Sequence, residues 1–152
     1  YMTTIPVQAV CNTILMKSFE EKITVTPMKL QKLLYFVFKD YLQKTDEALF
    51  SEQFETWPYG PVLPSVYNEF SSFGSDRITK LAKNADGSAT IVSSEGAPSV
   101  MESINLIWSK YKRQNGIQLS NITHRPGSAW YKAHNKNELF LSNDDIKEDH
   151  VE

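Results

Sequence analysis

The sequence contains a single cysteine, Cys11, among its 152 residues. One cysteine can form neither an internal disulfide nor a cysteine-based zinc site. We interpret Cys11 as a small core residue, since free cysteines are among the most buried residue types. A chain without disulfides suits a reducing compartment, so we expect a cytoplasmic location. No apolar run reaches transmembrane length and the N-terminus lacks a signal-peptide pattern, so we expect no membrane contact.

The sequence also lacks the common patterns of catalysis. It has no glycine-rich phosphate loop of either usual spacing and no serine in a Gly-x-Ser-x-Gly elbow. None of its three histidines belongs to a His-x-x-x-His ligand pair: His124, His134 and His150. One cluster resembles a catalytic site: Thr123, His124 and Arg125. We favour a structural role for His124, as a hydrogen-bonded histidine under Trp130, over a catalytic role. We therefore expect no enzyme, no catalytic residue, no cofactor and no metal.

A strong charge of either sign is absent too, since the formal net charge is −2. A dedicated nucleic-acid binder usually carries a basic face, so the charge argues against nucleic acid as a partner. One basic cluster keeps DNA contact open as an alternative: Lys110, Lys112 and Arg113. The C-terminal region has an acidic cluster, interpreted as a solvated face or as favourable charge at a helix start: Asp144, Asp145, Glu148 and Asp149.

The most informative stretch that is present runs from Thr26 to Gln43. Thr26 can cap a helix and Pro27 suits its first position. The apolar residues of this stretch occupy most of the helix circumference, so other elements must surround it. Its polar exceptions are Lys29, Gln31, Lys32, Lys39 and Asp40. We predict a buried central helix, with Lys29 and Lys32 on an exposed edge.

The remaining elements are predicted from caps, periodicity and turn residues. A first helix, capped by Thr3 or Thr4, should run to about Glu20. Pro64 should begin a short helix that ends near Gly74. Asp86-Gly87 between β-prone runs indicates a hairpin within residues 77–93.

In the C-terminal half, Ser99 and Glu102 have capping-box spacing and predict a long helix to about Asn115, ended by Gly116. Short helices should follow at about 119–124 and 128–134, and a last one should begin at Ser142. The predicted fold class is mainly α: a compact single domain, residues 2–152, around a buried central helix, with one small β-hairpin at the edge.

The segment from Trp57 to Tyr67 contains three prolines and a glycine within eight residues. Such a segment cannot continue a helix or a central strand, so we predict a rigid apolar loop. Trp and Tyr on a preorganised loop are good interface anchors, although the same residues can simply cover a core. Core packing is favoured for Trp57 and Tyr67, whereas Tyr59 is as well explained by an interface.

Two motifs resemble the Panacea domain, also called the SocA-like or phage-associated GepA-like domain. They are Leu30-Gln31-Lys32-Leu33-Leu34-Tyr35-Phe36 and, about twenty residues later, residues 54–67 (FETWPYGPVLPSVY). The resemblance continues through Phe73-Gly74, Leu119-Ser120, Thr123-His124 and Ser128-Ala129-Trp130. Ala129 stands where the family usually has proline.

The resemblance implies an antitoxin that neutralises a cognate toxin by direct protein binding, as in bacteria and prophages. Two alternatives stay open. One is a proteolytic adaptor that delivers the toxin to a ClpXP-type protease, with a ClpX-type unfoldase as a second partner. The other is a DNA-binding regulator of its own operon. The candidate toxin-binding residues are Lys29, Lys32, Trp57, Tyr59, Gly60, Pro61 and Tyr67.

Overall fold

The computed structural model describes residues 4–152. Seven helices and two short strands follow one another in this part of the chain: α1 Val7–Glu21, α2 Pro27–Thr45, β1 Glu55–Trp57, β2 Gly60–Val62, α3 Pro64–Phe70, α4 Pro98–Tyr111, α5 Gly116–Thr123, α6 Ala129–Asn135 and α7 Asn143–Lys147. A 3₁₀ turn, Ser71–Phe73, ends at Gly74. The predicted fold class, mainly helical with a small hairpin, is confirmed. Within residues 4–152, no helix combines the length and apolar character that crossing a bilayer takes.

Helix α2 is the centre of the fold. It contacts helices α1, α3, α4, α5 and α7 as well as strand β2. The Thr26 hydroxyl accepts a hydrogen bond from the Lys29 amide, and Pro27 occupies the first turn, as the sequence predicts. The apolar side chains of α2 are buried around most of its circumference. Packing on all sides therefore stabilises this helix.

The prediction that Lys29 and Lys32 lie on an exposed edge of α2 is wrong, because Lys29 is only 4% exposed and Lys32 only 1%. Lys29 Nζ donates to the Lys112 carbonyl at 2.5 Å, and Lys32 Nζ to the Pro61 carbonyl at 3.0 Å. Each ammonium therefore ends at a main-chain acceptor of a neighbouring element while its aliphatic stem is packed in the interior. These lysines connect elements of the fold and place no charge on the outer surface of α2.

Helix α1 begins later than predicted. Its N-cap is Pro6, which makes no side-chain cap, so Thr4 does not cap this helix. Thr3, the other predicted cap, lies outside the described residues. The main chain just before α1 is instead paired elsewhere, since the Ile5 amide donates to the Leu49 carbonyl at 2.9 Å.

The hairpin lies in a different place from the one predicted. Residues 77–93 contain the expected Asp86-Gly87 turn but no strand. The antiparallel hairpin is instead formed by β1 and β2, with Trp57 paired to Gly60. Pro61 is tolerated because the strands are only three residues long and β2 is an edge strand. The predicted Trp57–Tyr67 loop is therefore a hairpin followed by the start of α3.

Two predicted helix boundaries near α4 are also wrong. Helix α4 begins at Pro98 after Ala97, without the capping box expected at Ser99. Gly116 starts α5 and does not end α4. The capping box of this region is formed by Asn115 and Gln118, each accepting at 2.8 Å from the other's main-chain amide. Asparagine satisfies the free amides of a helix start as serine does.

Candidate partner-binding surface

The turn of the β1–β2 hairpin consists of Pro58 and Tyr59, and it carries the most exposed aromatic side chain of the chain's described part. Tyr59 is 68% exposed and Tyr67, on α3, is 48% exposed. Trp57 is half-buried, and its ring centroid lies 5.1 Å from that of Tyr67. We call Trp57, Tyr59 and Tyr67 the aromatic surface. Exposed rings on a rigid segment are typical of protein-binding sites.

Side chains from three other parts of the chain fix the hairpin through its carbonyl groups. Trp130 Nε1 donates to the Trp57 carbonyl at 2.7 Å, and Ser120 Oγ donates to the Tyr59 carbonyl at 2.5 Å. Lys32 Nζ donates to the Pro61 carbonyl. Proline has no amide hydrogen, so a proline-rich hairpin has fewer main-chain donors for its own carbonyl groups. Side-chain donors from other elements therefore have to satisfy these carbonyls. The aromatic surface is therefore preorganised.

His124 supplies the remaining contact. Its Nε2 lies 2.7 Å from the Pro58 carbonyl oxygen and its Nδ1 lies 2.6 Å from the Ser120 carbonyl oxygen. Both neighbours are carbonyl oxygens, so in either bond the ring nitrogen is the donor. The ring also packs edge-on against Trp130, with centroids 4.0 Å apart. The favoured interpretation of His124, a hydrogen-bonded histidine under Trp130, is confirmed.

Gly60 and Pro61 were both predicted toxin contacts, but both are buried in β2. Gly60 has φ +114°, and a Cβ atom there would lie 2.6 Å from Thr123 Oγ1 and 3.0 Å from Lys32 Cε. Only glycine fits between these side chains. Gly60 and Pro61 thus support the aromatic surface from the buried side of the hairpin and do not form part of it.

An apolar cavity of about 210 Å³ opens between the start of α2, the hairpin and α3. All three residues of the aromatic surface line it, together with Met28, Val66 and Lys32. Burial lowers the pKa of Lys32 to about 7. Gln31 also lines the cavity, but its amide nitrogen and oxygen are both bonded to the main chain of Leu63, at 3.0 and 2.9 Å.

The two charge clusters noted in the sequence lie in different environments, and in the basic cluster two of the three cations are paired. Lys110 and Lys112 form ion pairs with Glu152 and Glu21, at 2.5 and 2.8 Å. In the acidic cluster, Asp149 is buried, contrary to the solvated face expected for it. The basic cluster therefore offers no extended positive surface, whereas Asp144 and Asp145 lie in the first turn of α7, where negative charge is favourable.

Sequence reasoning named Trp57, Tyr59 and Tyr67 as candidates but favoured core packing for Trp57 and Tyr67, and for Tyr67 this is wrong because it is 48% exposed. It did not find the groups that hold them. Ser120, His124 and Trp130 follow the hairpin by about sixty to seventy residues, and only the fold brings them beneath it. The available signal was the set of polar and aromatic residues shared with the resembling family in residues 119–130. A role in hairpin support explains why these residue types occur together.

Comparison with known proteins adds an independent observation. Residues 30–131 match the family model described as antitoxin SocA-like, Panacea domain. The chain is 33% identical to antitoxin SocA of Caulobacter vibrioides (strain NA1000 / CB15N) over 126 residues, which cover 81% of this chain and 67% of that protein. No solved structure matches the chain. The matched range includes most of α2, the whole hairpin, and the four residues described above that contact its carbonyls. The chain belongs to the SocA-like, Panacea domain family of antitoxins.

Proposed function

We propose that this chain is an antitoxin that neutralises a cognate toxin by binding it directly through the aromatic surface. Membership in a family of antitoxins supports the general role. Membership in this family also favours a role as a non-catalytic regulator over a role as an enzyme. The observation that carries the binding site is the pair of exposed rings, Tyr59 and Tyr67, on a hairpin whose carbonyls are fixed from below.

Physical reasons favour direct binding at this surface. Large aromatic side chains bury much area on association and lose little conformational entropy, more so when the main chain is already fixed. The fixed hairpin therefore lowers the entropic cost of forming a complex. Lys29 and Lys32, which the sequence suggested as toxin contacts, are buried. They support the fold by donating hydrogen bonds to main-chain carbonyls.

The test is co-expression with the product of the adjacent open reading frame, followed by growth assays and co-purification. The wild-type chain should restore growth and form a complex. The double variant Tyr59→Ala/Tyr67→Ala should weaken binding by about thirtyfold or more, as truncation of interface anchors does. Phe19→Ala, an exposed ring on α1, is the matched control and should bind normally. Persistent toxicity without any complex would contradict the proposal.

The same cells distinguish the alternative mechanisms. Sequestration leaves the toxin level unchanged while growth recovers, whereas delivery to a ClpXP-type protease lowers the toxin level and fails in a protease-deficient host. DNA binding would require a free basic face, and the ion pairs of Lys110 and Lys112 argue against one. A salt-sensitive mobility shift on the operon promoter would revive that alternative.

A further inference from the structure

The apolar cavity behind the aromatic surface has a distinctive size. Its volume of about 210 Å³ lies below the roughly 300–1,000 Å³ typical of pockets for drug-sized ligands and cofactors. It therefore suits a single large residue of a protein partner. Trp57 and Tyr67 form apolar walls on which an aliphatic or aromatic side chain can pack.

Among residues 4–152, Lys32 is the one cationic residue that lines the cavity, and none of the lining residues in this range is a carboxylate. Its ammonium carries three hydrogens, and the residues that the structure describes give it one acceptor, the Pro61 carbonyl. A buried ammonium with incomplete hydrogen bonding is costly, and a carboxylate placed beside it would offset that cost. The cavity is therefore complementary to an apolar group that also bears a negative charge.

We propose that the cavity binds the C-terminal residue of the partner toxin, with its apolar side chain against Trp57 and Tyr67 and its free carboxylate paired with Lys32. This inference rests on the proposed function. An internal Asp or Glu would bring the charge but little apolar surface, and an internal Leu or Phe would bring no charge. A chain terminus ending in a large apolar residue supplies both within one residue, as the cavity volume requires.

The test uses two synthetic decapeptides that copy the C-terminus of the adjacent gene's product, one with a free carboxylate and one amidated. Isothermal titration against the wild-type chain should show the amide binding about tenfold to a hundredfold more weakly, the range for a hydrogen bond to a charged group. Lys32→Met should bind both peptides alike, whereas Lys80→Met, at an exposed position, should keep the difference.

The comparison of free acid with amide on the wild-type chain does not depend on a variant that folds. Equal binding of the two peptides would overturn the inference. So would binding of the full-length toxin without measurable binding of the free-acid peptide, and in that case the proposed function would still stand. Failure of the full-length toxin itself to bind would contradict the proposed function as well.

Discussion

The Tyr35 hydroxyl on α2 donates a 2.6 Å hydrogen bond to Oδ2 of Asp149, 114 residues further along the chain. Both residues are buried. Asp149 also accepts from the amides of Ala129 at 3.2 Å and Val151 at 3.0 Å. Burial, reinforced by the Asp149 carboxylate, raises the pKa of Tyr35, so the phenol stays protonated as the donor. The pair fixes the C-terminal segment to the central helix.

Tyr35→Phe tests this relationship. The substitution keeps the ring but removes the donor, leaving a buried carboxylate with one hydrogen bond fewer. We expect the free energy of unfolding to fall by about 1–3 kcal/mol. Urea denaturation should show this, and the control Tyr131→Phe, at a half-buried site, should change stability much less. An unchanged unfolding midpoint in Tyr35→Phe would contradict the role assigned to the bond.

The sequence predicted α2 well because its signals are local: a cap, a proline and apolar periodicity. It could not predict the burial of Lys29 and Lys32, because their acceptors, Lys112 and Pro61, are distant in sequence. A lysine on a helix is normally exposed, and only the tertiary fold supplies a carbonyl that makes burial tolerable. The same limit applies to Asp149, which looked like part of a solvated acidic tail.

The failed hairpin prediction in residues 77–93 has a specific cause in α1. The Asn12 side chain accepts from the Ala82 amide at 2.8 Å and donates to the carbonyls of Ala82 and Thr90, at 3.0 and 2.9 Å. Thr13 Oγ1 accepts from the Val92 amide at 2.9 Å. Side chains of α1 therefore occupy the main-chain groups that would otherwise pair as strands. A propensity argument cannot anticipate such competition.

Asn12→Ala should remove the hydrogen bonds that hold residues 82–90 against α1. We expect faster hydrogen exchange at the Ala82 amide, because its acceptor is lost, together with a lower free energy of unfolding of about 1–3 kcal/mol. Gln8→Ala, an exposed position on the same helix, is the control and should leave exchange at Ala82 unchanged. Equal protection of Ala82 in Asn12→Ala and wild type would disprove the interpretation.

Gly60→Ala tests whether the hairpin depends on the space beside Lys32 and Thr123. Gly60 and Gly87 both have positive φ, +114° and +88°, but a Cβ at Gly87 would contact nothing within 4 Å. Backbone strain burdens both variants, whereas only Gly60→Ala adds a steric clash. We expect Gly60→Ala to destabilise by about 1–3 kcal/mol more than Gly87→Ala. Similar thermal midpoints for the two variants would argue against a close-packed hairpin.

Lys32→Met tests the buried ammonium through the pH dependence of stability. Burial lowers the folded-state pKa of Lys32 to about 7 from 10.5. Between these values the unfolded chain binds the proton that the folded chain has released. The free energy of unfolding should therefore rise with pH across this window, by up to about 1.4 kcal/mol per pH unit. The penalty of the charge is present in full below about pH 7 and is relieved as pH increases.

Two other ionisable side chains, Tyr59 and Tyr67, line the same cavity as Lys32, and His124 contacts the hairpin turn at the Pro58 carbonyl. The difference between wild type and Lys32→Met isolates the lysine from them. Lys32→Met should lack this part of the pH slope and be more stable than wild type at pH 6, since no buried charge remains. Urea denaturation at pH 6, 7.5 and 9 measures both effects, with Lys80→Met as the exposed control. Parallel pH profiles for wild type and Lys32→Met would show that the folded chain keeps Lys32 charged throughout, with more acceptors around it than the Pro61 carbonyl alone.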